Sequence, residues 1–429
     1  MKALVFETAT RTASVKEVPR PVPGPGEVLV RVHAVALNPV DQIHFAGPIA
    51  AQTERVMGTD FAGVVVDCGP ATASSSEHEN GDRDEDARTV EGARVAGFVQ
   101  GASSANDRPG AFAEYVVAPY DLLWTIPEGL SFEEASTISM CGLTAAQALF
   151  PRFGLPSTFS SSSPSPSLSE LLPQHATPVP NNDSSSLSSA SSASPISIFI
   201  YGASTSLGMF AAQLAHVAAR ASGRPLRLIG AASVSRHGTL RAAPYGYDVL
   251  VDYRDAYWVD KVRAATPGSR GVDYALDAIS ERDTVARVHD TLAEGGKYHV
   301  FRGPEGGKYD TKGLAVQPVY GAVWEGLGVE IDYGGGLIFP ASPEARRFAV
   351  DFFRFLSSGA KAGEQVKLHP NPVRRMPGGL ERIVPDGFAL LSGLVSERGQ
   401  GRGLPRRDEE GEKEYMRPIS GEKLVYAIA

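Results

Sequence analysis

The stretch ISIFIYGASTSLG, residues 196–208, constrains the fold more than any other part of the chain. Its first half is a run of β-branched and aromatic residues that reads as a buried strand. The segment after it, Leu207–Ala221, places Leu207, Phe210, Ala211, Leu214, Val217 and Ala218 at helical spacing. A strand that turns directly into a helix satisfies both patterns. The alternation continues through the strands LRLIGAA, DVLVDY and GVDYALDAI, a helix over Thr284–Leu292 and the strand GKYHVF. Strands alternating with helices predict an α/β fold with a parallel, doubly wound sheet.

In such a sheet the first strand-to-helix turn presents free backbone N–H groups and the positive end of the helix dipole, a favourable seat for a diphosphate. Gly202 and Gly208 bracket this turn, and the hydroxyls of Ser204, Thr205 and Ser206 can donate to phosphate oxygens where glycine amides would otherwise do so. A purely structural turn accounts for the same residues. A P-loop is excluded, because no Gly-Lys-Ser/Thr follows. An NAD site places an acid about 20 residues beyond the loop to hold the ribose hydroxyls. Here LRLIGAASVSRHG ends without one and offers Ser233, Ser235, Arg236 and His237. Hydroxyls and a guanidinium suit a 2′-phosphate, so NADPH is the expected cofactor, with Tyr253 of VDYRD as a further contact. The alternative for Arg236 is the start of a solvated helix.

Upstream, KALVFE, EVLVRVHAVAL, FAGVVVDCG, ARVAGFV and AFAEYVVA give short strands separated by turns, a compact β-rich unit. Three polar stretches interrupt the globular pattern, at residues 74–88, 157–194 and 396–414, and read as surface insertions. No apolar run approaches the roughly 20 residues that span a bilayer, and a net charge of −8 gives no footprint for nucleic acid. Two cysteines, Cys68 and Cys141, can build neither a disulfide framework nor a four-thiolate zinc site. They read as small buried hydrophobes in a cytoplasmic protein.

Taken together, PGPGEVLVRVHAVALNPVD, MGTDFAGVV, GARVAGF, GAFAEYVVAP, IPEGLSFEEAS, GLTAAQAL, the glycine loop, VDYRD and ISGEKLVY resemble the medium-chain dehydrogenase/reductase superfamily. The resemblance implies a GroES-like catalytic domain built from both chain ends around a Rossmann domain. That expectation assigns residues 1–131 and 340–429 to the first and 132–339 to the second. Zinc-dependent members carry a Cys ligand in the segment matching ALNPVDQ and a Gly-His-Glu where this chain has Gly58-Thr59-Asp60. Neither ligand is present, and His33, His44 and His78 lack partners at metal spacing, so a metal-free reductase is expected. Within that branch, ALNPVDQ, YGASTSLG, VDYRD and NPVRRMPGGLERIVPDG are most similar to fungal enoyl reductases that act in trans with polyketide synthases. Quinone oxidoreductases, which commonly have a Gly-Gly pair in the loop where Thr205 and Ser206 stand, come next.

The resemblance implies hydride transfer from NADPH to the β-carbon of an α,β-unsaturated carbonyl, followed by protonation of the α-carbon. Asn38 and Asp41 match a segment lining the cleft near nicotinamide and substrate; their alternative is a tight turn around Pro39, with Asp41 capping the following segment. Thr144 matches a position approaching the nicotinamide, against a hydroxyl bonded to its own helix. Tyr201 and Tyr298 read as sheet residues. Two further readings stand beside the enoyl reductase: a quinone or small-enone reductase on the same fold, and an NADPH-binding sensor or scaffold without turnover. Residues 327–339, LGVEIDYGGGLIF, read either as an edge strand that pairs between subunits or as an internal strand.

Overall fold

The computed structural model describes residues 1–47, 53–70, 86–101, 108–159, 194–333, 338–361, 364–398 and 414–428. His78 and most of the three polar stretches lie outside these residues.

The chain opens with β1 (Lys2–Glu7) and β2 (Thr12–Glu17), which form a three-stranded sheet with β4 (Glu54–Val56) in the order β2-β1-β4. Between them run β3 (Glu27–Ala36) and the short helix α1 (Pro39–Ala46). Next come β5 (Asp60–Cys68), β6 (Arg94–Phe98), β7 (Tyr115–Pro119) and β8 (Leu123–Thr125). In β3 seven of the ten residues are buried, and its backbone is paired on both edges, antiparallel with β5 on one side and with β7 on the other. Two helices, α2 (Phe132–Ala135) and α3 (Ser139–Gln147), lead away from this sheet.

The glycine-loop region folds as its periodicity predicts. Strand β9 (Ile196–Tyr201) runs into helix α4 (Ser206–Ser222), followed by β10 (Leu226–Ala231), β11 (Val249–Val251), β12 (Val272–Asp277) and β13 (Leu292–Val300). All five strands are parallel, in the order β11-β10-β9-β12-β13. The order reverses between β9 and β12, so the glycine loop at the end of β9 lies at the topological switch point. Alternate residues of β9 enter different cores: Ile198 and Ile200 pack with α4, while Phe199 and Tyr201 pack with Trp258 and Val262 on the opposite face. Both faces are therefore covered, the arrangement a doubly wound sheet requires.

The helix read over Thr284–Leu292 is shorter, ending at His289, and Leu292 already begins β13. Leu292 and Ala293 are buried, and pairing with β12 recruits them into the strand. Among the described residues of 327–339, β14 (Ile331–Asp332) and β15 (Ile338–Phe339) pair with each other as a separate two-stranded sheet. The end of the chain returns to the first half. Strands β16 (Val373–Arg375) and β17 (Lys423–Ala427) extend the large sheet to seven strands, β17 pairing antiparallel with β3. This return brings residues 420–425 to the point where the β-rich half meets the nucleotide-type sheet.

Candidate active site

The turn between β9 and α4 is built by its own residues. Gly202 adopts φ 78°, a left-handed conformation that favours glycine. Thr205 is the N-cap of α4: its hydroxyl accepts from the Gly208 amide at 3.0 Å and donates to the Gly202 carbonyl at 2.8 Å. That hydroxyl proton is thus committed to closing the turn. The structure makes Thr205 the organiser of the loop, in place of the free phosphate donor expected from sequence. A side chain at Gly208 would put its Cβ 2.4 Å from the Gly202 carbonyl oxygen, so only glycine lets the helix start this close to the strand. Ser204 and Ser206 flank the capped turn, and the first amides of α4 have no partner within the helix. This cradle of close backbone and free amides fits a dinucleotide diphosphate.

At the end of β10, Ser233, Ser235 and Arg236 lie on one short turn, with Ser235 exposed. Arg236 donates from Nε to the Ser420 hydroxyl at 3.2 Å and from its terminal nitrogen to the Ser420 carbonyl. It is therefore held against the returning C-terminal segment, a third arrangement beside ligand contact and solvated helix start. Sequence reading passed over Arg254. Its guanidinium donates to the Ser233 hydroxyl at 3.2 Å and lies 4.4 Å above the Tyr253 ring. VDYRD carried the signal, since Arg254 stands beside the tyrosine already singled out. Ser233, Tyr253 and Arg254 thus converge, and Arg236 ends the turn Val234–Arg236 whose N-cap is Ser233.

The residues matched to the cleft gather elsewhere, in a buried polar cluster. Asp41 lies in the first turn of α1, whose N-cap is Asn38, and accepts from the Asn38 backbone amide at 2.7 Å, so it closes the start of its own helix and does not cap the segment that follows. The Asn38 side chain points away from that turn, donating to the Thr59 hydroxyl at 2.9 Å and to Asp60 Oδ2 at 3.0 Å. Lys423 completes the cluster, its ammonium 2.6 Å from Asp60 Oδ2, 3.2 Å from the Thr137 carbonyl and 3.8 Å from Cys141 Sγ. Burial pushes the Asp41 carboxyl up to about 7, against the opposing bonds from Asn38 and Thr59. Thr144 is not drawn in: its hydroxyl donates to the Met140 carbonyl one turn back, at 2.7 Å.

Several sequence expectations change here. Cys141 is more than a small hydrophobe, since its thiol reaches Asn38 Oδ1 at 3.5 Å and faces the Lys423 ammonium. Cys68 likewise bonds, to the Thr89 carbonyl at 2.7 Å. His44 is buried, and burial pushes it down to about 4. His33 stacks on Phe132 with ring centres 4.6 Å apart. Tyr201 packs in its sheet beside Trp258, and Tyr298 donates to the Val285 carbonyl at 3.1 Å. Asp60 and Lys423 were missed altogether, because their pairing joins positions 363 residues apart.

Residues 24–128 match the alcohol dehydrogenase GroES-like domain family. The chain is 29% identical to an enoyl reductase of Chaetomium globosum, over 88% of this chain and 86% of that one. It is 30% identical to a trans-enoyl reductase of Pyrenochaetopsis sp, over 89% of this chain and 90% of that one. Its fold is similar to the crystal structure of an alcohol dehydrogenase superfamily protein from Novosphingobium aromaticivorans, with a TM-score of 0.64, 18% identity and full coverage of both chains. With a GroES-like segment, a doubly wound nucleotide-type sheet and this level of identity along most of its length, the chain belongs to the trans-enoyl reductases of the medium-chain dehydrogenase/reductase superfamily.

Proposed function

We propose that the chain is an NADPH-dependent enoyl reductase, which saturates the carbon–carbon double bond of an α,β-unsaturated carbonyl carried by a partner polyketide synthase. Family membership supports the reaction class. The observation that carries the cofactor reading is the glycine-bracketed cradle at the switch point, with Ser233, Arg236 and Arg254 near the end of β10 and no acid between residues 232 and 237. Gly202, Ser204, Ser206 and Gly208 would hold the diphosphate, with Thr205 shaping the turn, and Ser233, Ser235, Tyr253 and the two arginines the 2′-phosphate. When bound, NADPH supplies the hydride. Asn38 and Asp41 would stand at the substrate end, whereas the Thr144 hydroxyl is committed to the Met140 carbonyl of its own helix. Among the described residues no helix is long and apolar enough to cross a membrane, and a cytoplasmic setting accords with two cysteines in the thiol form.

The test is NADPH oxidation by the purified chain, followed with an enoyl thioester, with a quinone and with NADH in place of NADPH. Turnover of the thioester with NADPH preferred supports the proposal. Turnover of the quinone alone moves the chain to the quinone reductases, and tight NADPH binding without turnover of either leaves a sensor or scaffold.

A further inference from the structure

Arg236 ends the turn that follows β10, and its guanidinium faces the returning end of the chain. Nε donates to the Ser420 hydroxyl at 3.2 Å, and the terminal nitrogen Nη2 donates to the Ser420 carbonyl. These two nitrogens form the side-on fork with which an arginine grips a carboxylate or a phosphate in two parallel bonds. One residue of the chain therefore occupies the pair of donors that a 2′-phosphate would use. The next residue lies against the glycine loop as well. A side chain at Gly421 would put its Cβ 3.4 Å from both the Arg236 guanidinium carbon and the Ser204 carbonyl oxygen.

The segment that presents Ser420 is held from its other side. Arg374 of β16 is buried and donates to the carbonyls of Tyr415 at 3.1 Å, Arg417 at 2.6 Å and Pro418 at 3.0 Å, and to the Glu422 carboxylate. Glu422 also accepts from Arg417 at 2.8 Å. These bonds set the path of residues 415–422 without help from Arg236. Ser420 itself is exposed, so its hydroxyl is a polar group on a preset frame, and the long Arg236 side chain is the partner that can let go. Arg254 differs, because its bonds to Ser233 and Asp252 stay on the nucleotide sheet's own side.

We propose that Ser420 is a specificity-determining residue, which competes with the 2′-phosphate of NADPH for Arg236 and so weakens the preference for NADPH over NADH. The inference rests on the NADPH reading of the site. NADPH must exchange the two bonds to Ser420 for bonds to its 2′-phosphate. NADH carries a hydroxyl at that position and leaves them in place. The apparent affinity for NADPH is then the intrinsic affinity reduced by the fraction of molecules in which the Arg236 fork is open. The contact acts on one cofactor only.

Fluorescence titration of NADPH and of NADH, with wild type, Ser420→Ala, Arg236→Ala and the double variant, tests this competition. Ser420→Ala removes an exposed hydroxyl and leaves the bonds of Arg374 intact, so the variant folds. It is expected to bind NADPH about three- to tenfold more tightly, the range set by one internal hydrogen bond given up, with NADH affinity within about twofold of wild type. In the Arg236→Ala background the same substitution should change neither affinity, because the competitor then has nothing to compete for. An unchanged NADPH affinity in Ser420→Ala, an equal gain for NADH, or a gain that survives in the double variant overturns the proposal alone. A wild type without preference for NADPH, which gains none in Ser420→Ala and is indifferent to Arg236→Ala and Arg254→Ala, overturns the NADPH reading and the proposal with it.

Discussion

Lys423 Nζ lies 2.6 Å from Asp60 Oδ2, and the two side chains are 3% and 0% exposed. The pair fastens the returning strand β17 to β5, two segments that the sequence separates by most of its length. Removing one partner leaves a buried charge uncompensated, at a cost of about 3–5 kcal/mol. Lys423→Met is expected to lose that much stability in urea unfolding, and Asp60→Asn/Lys423→Met to recover most of it. If the double variant is no more stable than the single one, the pair is not the source of the loss.

Gly208→Ala tests the nucleotide cradle. The added methyl meets the Gly202 carbonyl at 2.4 Å and the Ala203 backbone at 3.0 Å, so α4 must shift away from β9. Overpacking of this kind costs about 1–3 kcal/mol. NADPH affinity, read by fluorescence titration, should fall by more than the loss of stability explains, since the free amides move with the helix. Unchanged affinity in a folded variant would separate this turn from the cofactor.

The parallel sheet was legible because local pattern decides it: β9 and α4 announce themselves by a change from strand to helix periodicity within a few residues. The role of Thr205 was not, because a hydroxyl beside a glycine loop can serve a phosphate or cap a helix, and only the geometry of the turn distinguishes them. The polar cluster was half visible. NPVD drew attention to Asn38 and Asp41, whereas Asp60 and Lys423 each stand at the edge of an apolar run where a charge looks solvated. Their burial depends on β17 returning to pair with β3, a tertiary event with no local signature.

Arg236 and Arg254 make separable predictions about cofactor choice. Arg254 is joined to Ser233 and also pairs with Asp252 at 3.4 Å on its own side of the site, whereas Arg236 must leave Ser420 on the returning segment to meet a 2′-phosphate. A charge-assisted hydrogen bond contributes about 1.5–3 kcal/mol, so Arg254→Ala should raise the KM for NADPH by roughly 10- to 100-fold with little change for NADH. Arg236→Ala is expected to have a smaller effect, because what Arg236 gains from the phosphate is offset by the bonds it gives up at Ser420. Equal losses for NADPH and NADH in Arg254→Ala would place that residue away from the 2′-phosphate.

Asp41 also sets a pH dependence of stability. Its carboxyl is pushed up to about 7 from the ordinary 3.8, chiefly by burial. The folded protein therefore binds more protons than the unfolded chain between those values, and stability falls as pH rises through that window. Asp41→Asn removes the titration. Relative to wild type the variant should gain stability progressively from about pH 4 to about pH 7, reaching on the order of 4 kcal/mol. Asp277, which burial pushes up to about 6, and His44, which it pushes down to about 4, titrate in both proteins and cancel in the difference. Urea unfolding of the two proteins across this range measures the effect; a difference that stays flat, or that favours wild type as pH rises, would show Asp41 to be ionised in the fold.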